Sequence, residues 1–274
     1  MFKCCKKTVV VDNDERDPID NVDTDKPDDL GIETKFYHVN EDLALYPEAV
    51  LYPGKMMRTR GIYKNRYPKG AIIHFTAGRS RKKSEGGTRA KDTHKEMGEK
   101  SVVAAIAKGS YAYLINDRDG NIHQTFGLHR WGYHAGASKW DGINGSVSDE
   151  LVGIENQGAG KLTKYKEGEY KAYFTTTSKG DKTFKEHEVR HISRSYDNVE
   201  AGTYHAMSMA QEKGLIELLL WMKRNNPNVF SFDLVLGHDE VSPGRKNDPG
   251  GSLSVSMPAF RDLLKDLYTE RYGA

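Results

Sequence analysis

Three polar side chains stand at the ends of apolar runs, where strands of a sheet would deliver them to one edge. His74 lies at the end of AIIHF, His238 ends LVLGH, and Asp248 follows ten residues later in the Gly/Pro-rich stretch HDEVSPGRKNDPGG. Two imidazoles and one carboxylate are a zinc ligand set, and three ligands leave a fourth position for water, as catalytic rather than structural sites do. Such a centre would carry a residual charge of about +1, which favours a bound hydroxide and acidifies the water. Spacing alone leaves the matter open, because a strand-end histidine is often only hydrogen-bonded and a ten-residue interval is no stock metal motif.

Other residues offer supporting chemistry. In LVGIEN, strand alternation puts Gly153 and Glu155 on one face and Val152 and Ile154 on the other. Glu155 then either meets solvent or reaches a site as a proton carrier. Lys246, two residues before Asp248, is either a solvated charge or an ammonium tethered near the ligand, able to stabilise an oxyanion. Its neighbour Arg245 is a structural or substrate-facing group. Tyr111 and Tyr113 share a strand face, and the sequence does not decide which phenol turns inward. In WGYHAG, Trp131 and Tyr133 are either apolar walls for sugar rings or loop anchors.

Positioning these groups requires alternating strands and helices. The turn at Pro68–Gly70 precedes the AIIHF strand, and Asp92 or Thr93 caps a helix to about Lys108. SYAYLI, the turn DRDG and NIHQTF form a hairpin over 111–126, and ELVGIEN (150–156) is a further strand. A helix runs from about Met207 to Arg224, FDLVLG returns as a strand, and Pro258 opens a last helix striped by Phe260, Leu263, Leu264 and Leu267. The pattern predicts an α/β fold with a single mixed central β-sheet flanked by helices. Residues 160–204, polar and rich in Lys, Tyr and Gly, read as an elaborated surface region.

The 274 residues carry a net charge of +2, too near neutral to point to nucleic acid. That mean hides an acidic start: residues 1–34 hold ten acids and five bases, leaving a moderately basic body suited to an anionic wall polymer. Residues 1–35 read as a flexible acidic tail, 36–66 as an arm packed on the domain, and 67–274 as the catalytic domain. The only cysteines, Cys4 and Cys5, are adjacent and offer no disulfide framework, which fits a reducing compartment. No apolar run nears the roughly 20 residues of a membrane span, and the start does not read as a secretory signal. The expectation is therefore a cytoplasmic protein without membrane insertion.

AIIHFTAG, YAYLINDRDGNIHQ, WGYHAG, ELVGIEN and GHDEVSPGRKNDPG occur in the order found in type 2 N-acetylmuramoyl-L-alanine amidases. That family comprises phage lysozyme-type amidases, the bacterial muropeptide-recycling amidase and peptidoglycan recognition proteins. The chain resembles it from about Tyr67 to the last helix. The resemblance implies that fold, with Zn2+ held by His74, His238 and Asp248. Phage lysozyme-type members often have Cys at the third position, whereas the recycling enzyme has Asp. It further implies Glu155 as the catalytic acid, Lys246 as the functional lysine, and Tyr111 at the position of a tyrosine contacting the attacking water. His134 corresponds to a groove histidine that binds substrate, with Trp131 beside it. The implied partner is peptidoglycan, cut between N-acetylmuramic acid and L-alanine by a monomeric enzyme of the endolysin type. The alternatives are a cytoplasmic recycling amidase for anhydro-muropeptides and a non-catalytic peptidoglycan-binding module. The 160–204 region and the acidic tail have no counterpart in the family pattern.

Overall fold

A computed structural model describes residues 44–273; the acidic tail, its two cysteines and the first part of the arm lie outside the described residues. Thirteen strands and four α-helices are named here in chain order. The arm contributes β1 (Val50–Leu51) and β2 (Gly61–Ile62). Then come β3 (Gly70–Phe75), α1 (His94–Ala107), β4 (Leu114–Asn116), β5 (Ile122–Gln124), β6 (Arg130–Trp131) and β7 (Leu151–Asn156). The next run is β8 (Lys161–Lys166), β9 (Glu169–Lys171), β10 (Phe184–Lys185), β11 (Val189–Ile192) and β12 (Gly202–His205). The chain closes with α2 (Met209–Asn225), β13 (Val235–Gly237), α3 (His238–Val241) and α4 (Met257–Tyr272).

The central sheet has the order β1-β5-β4-β7-β3-β13, parallel except for the β4–β5 hairpin, and so is mixed as expected. Strands β3, β7 and β13 are covered on both faces, which is why they read as continuous apolar runs rather than alternating ones. On one face α2 supplies the largest block of core, with Leu215, Leu218, Leu219 and Trp221 fully buried and Phe260 and Leu264 of α4 beside them. Both helices start at a serine cap: Ser208 accepts from the Gln211 amide and Ser256 from the Ala259 amide. Inside this block Arg271 forks onto Glu217 at 2.8 and 3.1 Å, the pairing that a buried guanidinium requires.

Helix α1 lies across the opposite face. Thr93 and Glu96 form a capping box at its start. Its Gly98 passes directly over His123 of β5, where a Cβ would come within 2.1 Å of the imidazole. His123 is fully buried and linked on both sides, with Nε2 2.9 Å from Asp117 Oδ2 and Nδ1 2.6 Å from the Tyr52 hydroxyl. Burial alone would raise the Asp117 pKa, but its bonds to His123 and Asn121 outweigh that and hold it below the ordinary carboxylate value. The Asp–His–Tyr chain clips the arm to the sheet edge. Burial and the charges of Glu99 and Asp117 raise the Tyr52 pKa, so its phenol stays neutral.

Residues 160–204 form a second, five-stranded antiparallel sheet, β10-β9-β8-β12-β11. It has its own small core of Ala159, Leu162, Tyr170, Ala172 and Phe184. This sheet grips the loop between β3 and α1. Arg81 Nη2 donates to both Glu188 carboxylate oxygens at 2.6 Å and its Nη1 to the Lys182 carbonyl, Arg79 donates to the Phe174 carbonyl, and Thr88 bonds Asp181. No described helix is long and apolar enough to cross a membrane.

Tyr52→Phe removes the hydroxyl and leaves the buried His123 nitrogen without its partner. Urea unfolding is expected to show a loss of about 1–3 kcal/mol, with earlier proteolytic cleavage in residues 44–60 than in the native chain.

Candidate active site and metal centre

The parallel register builds one row of side chains. His74 pairs with Glu155 across β3 and β7, and Glu155 with Ile115 across β7 and β4, so the three share a face. His238 follows immediately on β13, the strand beside β3, as the first residue of α3. The loop after α3 brings Asp248 back, its carbonyl accepting from the Asp239 amide at 2.8 Å.

His74 Nδ1 is 2.9 Å from His238 Nδ1 and 2.9 Å from Asp248 Oδ2, and His238 Nδ1 is 3.0 Å from the same oxygen. Hydrogen bonds behind the rings settle what these nitrogens are. His238 Nε2 must donate to the Ala135 carbonyl, 2.9 Å away, which leaves its Nδ1 as a bare lone pair in the neutral ring. His134 Nε2 donates to the Leu151 carbonyl at 2.9 Å, so its Nδ1 accepts from His74 Nε2 at 3.1 Å. His74 Nδ1 is then a lone pair as well. Three ligand atoms meet at one buried point, and a cation there would satisfy all of them. Ligand atoms around a tetrahedral zinc with bonds of about 2.1 Å stand roughly 3.4 Å apart, so the residues fit after spreading by a few tenths of an ångström. Among the described residues, these three form the group of His, Cys, Asp and Glu side chains able to hold an ion.

Electrostatics favours this state. Burial lowers the His74 pKa despite Asp248, and burial with the two neighbouring imidazoles lowers His134 to about 3, so both rings are neutral and ready to ligate or relay. Burial opposes ionisation of Asp248 too, yet its bonds to His238 and His74 hold its pKa far below the usual value. Glu155 behaves oppositely. Burial and the Asp248 charge, against some relief from Lys246, push it up to about 8. Its side chain is half-buried overall, but Oε2 is sealed from solvent and has no hydrogen-bond partner. A sealed, unpartnered carboxyl beside a cation-binding centre is suited to carrying a proton.

The remaining predicted residues fall into two groups. Lys246 is half-buried and close enough to act electrostatically on both His74 and Glu155. His134 rests on the open face of Gly153, where a Cβ would lie 2.6 Å from its ring, and it orients His74. Tyr111 packs edge-on against Tyr133 with Arg58 over its ring, while Tyr113 is the phenol that senses the Glu155 charge. Trp131 stacks edge-on with Tyr133, which is 45% exposed and directly precedes His134 in the chain. Arg245 is structural: it donates to the carbonyls of Ala135 and Ala137 and holds the loop that accepts from His238. The orienting role of His134 and the clip at His123 carry no signal in sequence spacing, since both depend on partners far away in the chain.

Residues 64–251 match the family model described as N-acetylmuramoyl-L-alanine amidase. The chain belongs to that amidase family, and it is an enzyme of that class. Among solved structures it is similar to the crystal structure of a selenomethionine AmpD derivative, at 18% identity and a TM-score of 0.47, over 81% of this chain and 97% of that one. A search of curated proteins returns no match.

A carboxyl raised from 4.5 to about 8 keeps its proton in the folded chain after the unfolded chain has released it. Between those pH values the folded state holds the extra proton, so this group makes stability fall as pH rises. In chelator-treated protein the denaturation midpoint of Glu155→Gln is therefore expected to drop less between pH 5 and 8 than that of the native chain.

Proposed function

We propose that this chain is a zinc-dependent amidase that hydrolyses the amide between the lactyl group of N-acetylmuramic acid and the L-alanine of the stem peptide, acting on polymeric wall as an endolysin does. The observation that carries the metal is the meeting of three ligand atoms, His74 Nδ1, His238 Nδ1 and Asp248 Oδ2, within about 3 Å of one another. Zinc held there would act as a Lewis acid and lower the pKa of water.

The chain's own groups divide the remaining work. Glu155 takes a proton from the attacking water and passes it to the departing amine of L-alanine, a role that its raised pKa and unpartnered oxygen support. The Lys246 ammonium stabilises the oxyanion of the tetrahedral intermediate. Burial and then the Glu155 charge raise the Tyr113 pKa, which supports Tyr113 as the phenol at the reacting centre, while Tyr111 packs with Tyr133, itself against Trp131. These aromatic side chains give sugar rings an apolar face, which supports a substrate with glycan on the acyl side of the scissile bond. His134 keeps the ligand tautomer of His74.

Purified protein is expected to hold about one zinc per chain and to release stem peptides from isolated sacculi. His238→Ala should lose both the metal and the activity, by a factor of about 10³ or more in rate, judged against the size of such transition-state effects. Metal content by mass spectrometry and peptide release by chromatography read the two outcomes, and full activity in the variant would refute the reading. Turnover of soluble muropeptides without release from sacculi would instead assign the chain to recycling.

A further inference from the structure

Beside the catalytic row lies an open groove of about 340 Å³ between α1 and β4, lined by Thr76, Tyr113 and Ile115 on the sheet side. Ile115 is the register partner of Glu155, so the groove begins one strand away from the reacting centre. Its other wall carries four cations and no carboxylate: Arg79, Arg89, Lys100 and Lys108. Arg79 is partly neutralised, 3.6 Å from Asp181. Lys100 donates only to the Arg89 carbonyl, which brings no negative charge. Among the described residues, no ion pair is made by Arg89, Lys100 or Lys108, and all three side chains are exposed. Of the acids along α1, Glu96 is engaged at the helix cap.

The spacing says what such a wall suits. Lys100 lies in α1 and Lys108 is the C-cap of the same helix, eight residues on, about 12 Å at 1.5 Å per residue. An extended peptide covers that distance in about four residues at roughly 3.3 Å each. The matching ligand is a short extended peptide with at least two carboxylates, running beside α1. The stem peptide has that chemistry when the α-carboxyl of its γ-linked D-glutamate is free, and loses part of it when that group is amidated.

We infer that this groove selects stem peptides carrying a free second-residue carboxylate, and that Arg89 and Lys108, with Lys100, are its specificity-determining residues. The inference rests on the amidase reading above for the identity of the ligand. The second sheet acts through the same wall: its Glu188, Asp181 and the Phe174 carbonyl hold the loop that carries Arg79 and Arg89.

The test measures binding apart from turnover. The tripeptide L-alanyl-γ-D-glutamyl-L-lysine and its α-amide are titrated by calorimetry into the full-length chain, native and Arg89→Gln/Lys108→Gln. Both substituted residues are exposed, so folding should be intact. The acid is expected to bind the native chain about tenfold or more tightly than the amide, as one charge-assisted contact would give, and the double variant should erase the difference. With the corresponding muramyl tripeptides the variant should raise KM for the acid and leave kcat unchanged. Equal affinities for acid and amide, or a preference surviving in the double variant, would overturn the inference. Cleavage of both muramyl tripeptides alongside either result would leave the amidase reading standing, whereas selective binding without any cleavage would sink that reading and not the groove.

Discussion

Two imidazole lone pairs and a carboxylate oxygen held within about 3 Å repel one another unless a positive charge stands between them. Every other feature of the site can be understood as holding that unfavourable cluster in place. His238 is tied through Nε2 to Ala135, and Ala135 is tied in turn by Arg245. His74 is tied through His134 to Leu151. These bonds remove the freedom of each ring to turn its lone pair away. The centre is prepared by the polypeptide before any ion arrives, and burial opposes protonation of the His74 and His134 rings.

The parallel sheet supplies the precision. Neighbouring strands place His74, Glu155 and Ile115 in one row, so the three side chains that line this part of the site follow from a single register. A slip of one residue would turn all three to the α2 face. The apolar blocks of β3, β7 and β13 secure that register from both sides. Gly153, two residues before Glu155 on the same face, leaves the space that the His134 ring occupies.

Much of this was legible in the residues. Apolar runs ending in His74 and His238 marked the strands that bring the two histidines together, and the Thr93 cap and the Pro258 start located two helices. The second sheet was not legible, because its strands carry Lys and Glu on the exposed face in salt-bridged pairs such as Lys166–Glu169 and Lys185–Glu169. Its few core residues, Leu162, Tyr170 and Phe184, are too widely spaced to show a period. The choice between Tyr111 and Tyr113 was also open, since alternation puts both on one face. The structure gives them different surroundings, with Arg58, from the arm, over the ring of Tyr111 and burial raising the pKa of Tyr113. His134 shows the same limit: its residue type was informative, whereas its partner His74 is set by tertiary packing.

The arm has a consequence for what counts as the folding unit. The family match begins at residue 64, but β1, at Val50–Leu51, pairs with β5 and closes one side of the central sheet. A fragment trimmed to the matched segment would leave the backbone groups of Ile122–Gln124 open to solvent and strip the phenol from a buried histidine. An unsatisfied strand border of that kind invites pairing with another molecule. The smallest well-behaved version of this enzyme is therefore longer than homology would draw it.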